Sequence, residues 1–263
     1  MSQSSAMHHG GNAVAPSPVL TQPGQMVFMP LPPSVPGCPP GLEYLTQLDQ
    51  ILIKQEVEIL EVLTGLEGKN KYSLVNTLGQ QVYYAAEESE LCHRIFCGTA
   101  RGFILHITDN SGQEVMRLVR DFVCCTGCFC LPCKSCRYMA YVQDRTGQIL
   151  GYTSNLHFCC SPRAAIYDAD QQMIAEMSGP PCVCQDICCT ADVDFPVYDV
   201  KGSSWGKVAK QWSGAMKEWF TTADNFCVSF PMDLDVKKKA LMICLCIYVD
   251  FMIFEYKDQN NDS

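Results

Sequence analysis

ALMICLCIYVDFMIF (240–254) is the one long apolar run of the chain, and where it sits decides the fold. As a helix it spans roughly 22 Å at about 1.5 Å per residue, against a hydrocarbon core of about 30 Å. Asp250 lies within it, and an ionised carboxylate near mid-bilayer is costly enough that such residues face protein or water. Two placements follow. The run is a helix buried in the protein's own core, or it is a short single-pass, type II span. In the second case Lys237, Lys238 and Lys239 keep the preceding chain in the cytoplasm under the positive-inside rule.

Upstream, from residue 71, a β-rich run repeatedly meets a polar turn and a second β-rich run. The instances are NTLGQQVYYA, TDNSGQEVMRLV, QDRTGQILGYT and YDADQQMIAEM, with turns centred near Gly79, Gly112, Gly147 and Gln171. Gly supplies the positive φ of tight hairpins, and Asn110 and Asp144 favour turns through side-chain-to-backbone bonds. VKGSSWG (200–206) makes a fifth turn. Ten or more antiparallel strands need closure or two-sheet packing to hide their edges. A mainly β, closed antiparallel barrel is the expectation, with the 240–254 helix filling its interior. GLEYLTQLDQILIKQEVEILEVL (41–63) reads as a short helix entering a strand.

The remaining composition bounds the function. A net charge of -9 and a pI near 5.0 argue against broad nucleic-acid binding, which needs a basic footprint. Eighteen cysteines without an N-terminal signal pattern point to a reducing compartment. Residues 1–40 hold no Asp, Glu, Lys or Arg but nine of the fifteen prolines, and read as a disordered tail with polyproline II character. Its PxxP spacings, at Pro30, Pro33, Pro36 and Pro39, suit SH3 or WW grooves, or the tail is a spacer. Domain bounds are thus 1–40 tail, 41–256 folded domain and 257–263 short polar tail.

Cys124, Cys125, Cys128, Cys130, Cys133 and Cys136 crowd into VCCTGCFCLPCKSCRYM (123–139), beside Arg120, Lys134 and Arg137. Three readings compete: zinc through overlapping CxxC pairs, inert or redox thiols, and thioester acylation. Acylation fits exposed thiols beside positive charge near a membrane, where two or more chains make stable anchoring. Thr222 to Asp233 can be laid on a twelve-residue calcium loop, supplying Asp224 and Asp233 with Asn225 and Asp235 nearby; a polar turn entering a strand is the alternative. Lys237, Lys238 and Lys239, with Asp250, are candidates for contact with lipid headgroups. Trp205, Trp212 and Trp219 lie in 203–220, as interface aromatics or as core. No GxSxG, HExxH or Walker loop occurs, so bond-making or bond-breaking catalysis is not expected.

These segments together resemble the phospholipid scramblase family over about residues 40–256. The resemblance rests on PPGLEYLTQLDQILIKQ (39–55), NKYSLVNTLGQQVYYAAEES (70–89), ITDNSGQEV (107–115), the cysteine cluster, CTADVDFPV (189–197), KVAKQWSG (207–214) and TADNFCVSFPMDLDVKKKALMI (222–243). It implies a tubby-like fold, a twelve-stranded barrel around a central hydrophobic C-terminal helix. It further implies a plasma-membrane protein on the cytoplasmic face, S-palmitoylated at the matching cysteines. The implied activity is calcium-induced, ATP-independent, bidirectional and headgroup-nonspecific movement of phospholipids between leaflets. Thr222 stands where the family's calcium segment has Asp, and Cys227 where it has Gly. The partners expected are anionic inner-leaflet lipids, SH3 or WW proteins and further copies of the chain. A membrane-tethered adaptor using the proline-rich tail is the alternative, with a nuclear role through the segment Gly206 to Ser213.

Overall fold

The computed structural model describes residues 27–56, 69–90, 101–122, 139–156, 161–180, 193–211 and 225–251. All five turn motifs share one hydrogen-bonding scheme. Asn76, Asp109, Asp144, Asp168 and Asp199 open them, and each side-chain oxygen accepts the backbone N–H groups two and four residues on. The residue three positions on takes a positive φ: Gly79, Gly112, Gly147, Gly202 and, alone among non-glycines, Gln171 at 59°. Strand register shifts beside every one of these turns. This is the three-residue hairpin loop closed by a glycine bulge, and it explains why the motif repeats. The turn at 109–113 is therefore organised by Asp109, not by Asn110 as the sequence suggested.

These hairpins order the strands sequentially. They are β1 (Gln50–Gln55), β2 (Lys71–Val75), β3 (Gln81–Glu88), β4 (Phe103–Asp109), β5 (Glu114–Arg120), β6 (Met139–Asp144), β7 (Ile149–Leu156), β8 (Arg163–Tyr167), β9 (Met173–Ser178), β10 (Val193–Asp199), β11 (Ser204–Gln211) and β12 (Asn225–Ser229). Every neighbour pair is antiparallel, and β1 pairs with β12 to close the barrel. The expected architecture is present. A 3-10 turn, Glu43–Gln47, precedes β1.

The helix α1 (Val236–Val249) fills the lumen, and every residue from Lys239 to Val249 is buried. It starts four residues before the apolar run because Asp235 caps it, accepting the N–H groups of Lys237 and Lys238 at 2.9 and 3.3 Å. A helix apolar on all faces needs burial on all faces, which the barrel wall supplies. At Gly151 in β7 a Cβ would sit 3.0 Å from Leu241 of α1 and tighter still against Tyr167 O, so glycine lets wall and helix approach.

The topology gives the barrel two unlike ends. One carries the five short turns, the 3-10 turn and the start of α1. The other carries the six longer connections and the end of α1.

The proline-rich stretch joins the fold earlier than residue 40. Met29 N–H donates to Gln81 O at 2.9 Å and Gln81 N–H to Val27 O at 2.7 Å, while Met29 and Cys38 pack on the core. Asn110, released from the turn, holds this strap through its side-chain amide, which donates to Met29 O and Gln81 O. Prolines predict lack of regular structure, but an uncharged segment can still dock on apolar wall.

Candidate functional site

The three lysines at the head of α1 divide into three environments. Lys237 is exposed. The ammonium of Lys238 lies 4.8 Å from the Trp205 ring, which is itself buried in the wall. Lys239 has no exposed surface: its Nζ donates to Leu45 O, Leu48 O and Met232 O at 3.0, 2.8 and 2.8 Å. Three carbonyls replace the water that an ammonium loses on burial. Burial nevertheless pulls its pKa below the ordinary lysine value, against the opposite pull of Asp49 and Asp233. Lys239 thus latches α1 to the 3-10 turn and to the turn after β12, which removes it from the expected set of headgroup contacts.

Asp250 is likewise not a headgroup contact. It is 2 % exposed and accepts the Tyr72 hydroxyl at 2.8 Å. Next to it Phe251 stacks on Phe103 with ring centroids 4.2 Å apart, and the Arg101 guanidinium lies 5.1 Å from the Phe251 ring. Arg101 in turn bonds the buried Glu87 carboxylate at 3.0 Å. Burial alone would raise the Glu87 pKa, but Arg101, with Ser89 and Asn70, outweighs it and holds the carboxyl below its ordinary value. No sequence pattern announces this pair, because Glu87 and Arg101 meet only through the β3–β4 pairing.

Residues 240–251 of the apolar run are therefore inside the barrel. Among the described residues no helix is long and apolar enough to cross a membrane, a statement that does not bear on crossing by strands.

Cys124, Cys125, Cys128, Cys130, Cys133 and Cys136 lie outside the described residues. The connection that carries them leaves β5 at Arg120 and enters β6 at Met139. Both points are at the end of the barrel opposite Lys237. The fourteen residues of α1 separate the two ends by roughly 21 Å, well beyond a Debye length of about 8 Å at physiological salt. The strand ends that bound the cysteine-bearing connection and the lysines at the head of α1 therefore lie at opposite ends of the barrel. Of the described thiols, Cys227, Cys244 and Cys246 are buried and Cys38 is half-buried.

From Asn225 on, the calcium segment does not fold as a loop. Asn225 to Ser229 form β12, paired with β1 on one side and β11 on the other. An ion-wrapping loop must curl its ligands around one centre, whereas five paired residues span roughly 14 Å of straight strand. Asn225 starts that strand, Asp233 is exposed in the turn beyond its far end, and Asp235 is committed to capping α1. Asp224 and Thr222 lie outside the described residues. The described residues do not fit an EF-type site, and among them no group of three or more His, Cys, Asp or Glu side chains could hold a metal.

Pro30, Pro33 and Pro36 are exposed on the strap and Pro39 is half-buried. The described part of the segment with nuclear potential, 206–211, lies in the paired strand β11: Lys207 bonds Asp194 at 2.7 Å and Lys210 is buried with its ammonium 5.6 Å from the Phe226 ring. Trp212 and Trp219 lie outside the described residues.

The Scramblase family model matches residues 29–256. Mouse phospholipid scramblase 1 is 45% identical over 234 residues, covering 89% of this chain and 69% of the relative. Bovine phospholipid scramblase 2 is 44% identical over 249 residues, covering 93% and 83%. Human phospholipid scramblase 1 is 46% identical over 229 residues, covering 87% and 70%. No solved structure matches.

Proposed function

The chain belongs to the phospholipid scramblase family, and on that premise we propose that it moves phospholipids between the leaflets of a membrane, in both directions, without ATP and with little regard to headgroup. The supporting observation is that the match runs through the whole barrel and α1 rather than through one motif. Acyl chains on Cys124, Cys125, Cys128, Cys130, Cys133 and Cys136 tether the barrel to the cytoplasmic face of the plasma membrane. Lys237 and Lys238, at the other end, take no part in that contact.

Because α1 is already enclosed by its own wall, it offers no lipid path. A headgroup crossing hydrocarbon needs a polar route, since an unpartnered charge there is costly. The route then runs between copies of the chain or through bilayer that the attached barrels thin. Calcium is implied by the family resemblance and is not required by this reading.

Purified acylated protein in liposomes, assayed by chemical reduction of fluorescent lipid with calcium added or chelated, tests it. Flipping no faster than in protein-free vesicles under either condition defeats the proposal.

A second reading is favoured by the exposure of Pro30, Pro33 and Pro36: a membrane-tethered adaptor whose strap engages a proline-reading protein module. Silent liposomes together with specific binding of such a module select it.

A further inference from the structure

Burial along the first turn of the strap falls on two residues three apart, Met29 and Pro32. Met29 is half-buried and packed on the core, and Pro32 is buried. Val35, at 40 % exposure, is the most covered of the strap's exposed large apolar side chains, and Cys38 is again half-buried on the core. Between them Pro30, Leu31, Pro33, Ser34 and Pro36 are exposed, with Leu31 at 71 %. Three residues per turn is the period of a polyproline II helix, so Met29 and Pro32 share one of its edges while the exposed Pro30 and Leu31 stand on the other two.

The buried edge is the one a reader needs. An aromatic groove that takes PxxP fills each pocket with a proline and the residue before it, so it grips two adjacent edges of the helix. In the register Pro30–Pro33 the preceding residues are Met29 and Pro32. In the register Pro33–Pro36 they are Pro32 and Val35. Both registers use Pro32, which is buried, and the first also uses Met29, half-buried and packed on the core. Past Val35 the extended course ends in a turn, in which Cys38 N–H donates to Val35 O at 3.1 Å and Gly37 takes a φ of 82°.

We infer that residues 27–36 are a proline ligand masked by their own barrel: the wall beside Gln81 and Asn110 occupies the edge that a proline-reading module must grip, so the module binds only after the strap lifts off. The inference deepens the adaptor reading and rests on it. When the binding-competent state is a minor population, apparent affinity falls by that fraction. Among the described residues the polar fastenings of 27–36 to the barrel are the two backbone bonds between Gln81 and residues 27 and 29 and the two bonds from the Asn110 amide, beside the packing of Met29 on the core.

A free peptide of residues 27–40 is first titrated against a panel of purified SH3, WW and EVH1 domains, and the best binder is then titrated against the full chain. The chain should bind at least about ten-fold more weakly than the peptide. Asn110→Ala and, separately, Gln81→Pro should recover most of the difference, with faster amide exchange at Met29 and unchanged exchange at Ile107 in β4. If no domain binds the peptide, both the inference and the adaptor reading fail. If peptide and full chain bind equally, the masking fails while the adaptor reading stands. A deficit that survives in both variants traces to something other than docking and also overturns the inference.

Discussion

Inside the barrel the Tyr72 hydroxyl, near the start of β2, donates across 2.8 Å to the Asp250 carboxylate, the residue that caps the C-terminal end of α1. Together with the Phe251–Phe103 stack it fixes the far end of the helix to the wall, as Lys239 fixes the near end. A helix held at both ends by buried polar bonds is part of the barrel's core.

Tyr72→Phe removes the hydroxyl but keeps the ring in place. Asp250 then loses a hydrogen bond in a water-excluded site, and stability should fall by about 1–3 kcal/mol. Tyr198→Phe, at an exposed hydroxyl, should change it by less than about 0.5 kcal/mol. Urea midpoints of the two variants check this, and equal midpoints would remove the claim that Asp250 serves the core.

Lys239→Met keeps an unbranched side chain one atom shorter and withdraws the donors from three carbonyls, those of Leu45, Leu48 and Met232. The expected loss is about 2–4 kcal/mol, the range for breaking a buried polar network, whereas Lys237→Ala should lie within about 0.5 kcal/mol of the parent. If the two lysine variants unfold at the same urea concentration, the latch does not exist.

Gln171 occupies the positive-φ position that glycine fills in the other four turns. Gln171→Gly should therefore raise stability by about 0.5–1 kcal/mol. Gly147→Ala, whose new Cβ meets nothing within 4 Å, should lower it by about 1 kcal/mol through backbone strain alone. Calorimetric midpoints moving in the same direction for both variants would contradict the turn assignment.

The hairpins were legible because their chemistry is local: an Asx residue and a glycine three positions later specify the turn without help from the rest of the chain. Closure by β1 and β12 joins residues far apart in sequence and followed only from the need to hide edges. The helix latch was hidden because three consecutive lysines look alike until the cap at Asp235 sets where α1 begins; from that cap, Lys239 is the first residue to enter the lumen. In the calcium segment the carboxylate spacing drew attention, yet Phe226, Val228 and Phe230 alternate at period two, and that strand signal prevailed. The strap's docking rests on backbone bonds to Gln81, the Asn110 amide and the packing of Met29, which a reading of proline as disorder overlooks.

On the outer wall, His106 of β4 lies 2.8 Å from Glu114 of β5 through Nδ1 and 2.9 Å from Glu88 of β3 through Nε2. Arg117 also bonds Glu114. Carboxylates at both ring nitrogens require both to carry protons, which is the imidazolium form. Burial alone would lower the His106 pKa, but the bonds to Glu114 and Glu88 outweigh it and raise the folded value above the ordinary one. The stabilisation is therefore fully present below the unfolded pKa of about 6.5 and is lost as pH rises through the folded value. The cluster is partly solvated, so its size is on the order of 0.5 kcal/mol. Between about pH 5.5 and about pH 8.5 the parent should lose that much stability relative to His106→Gln, and less so in high salt. A difference that is flat with pH would show that the ring is neutral throughout.

Two of the described thiols, Cys244 and Cys246, are buried in α1. A thioester forms from thiolate, and burial pushes the Cys244 thiol up to about 12; Cys246 is raised by burial and then by Asp250 and Cys227. Neither can serve as an acyl acceptor in the folded protein. Hydroxylamine-sensitive acyl labelling in cells should therefore be unchanged in Cys244→Ser and in Cys246→Ser. It should disappear, along with recovery in the membrane fraction, when Cys124, Cys125, Cys128, Cys130, Cys133 and Cys136 all become Ser. Labelling that persists in that six-fold variant would assign the acyl chains elsewhere and leave the proposed tether without a site.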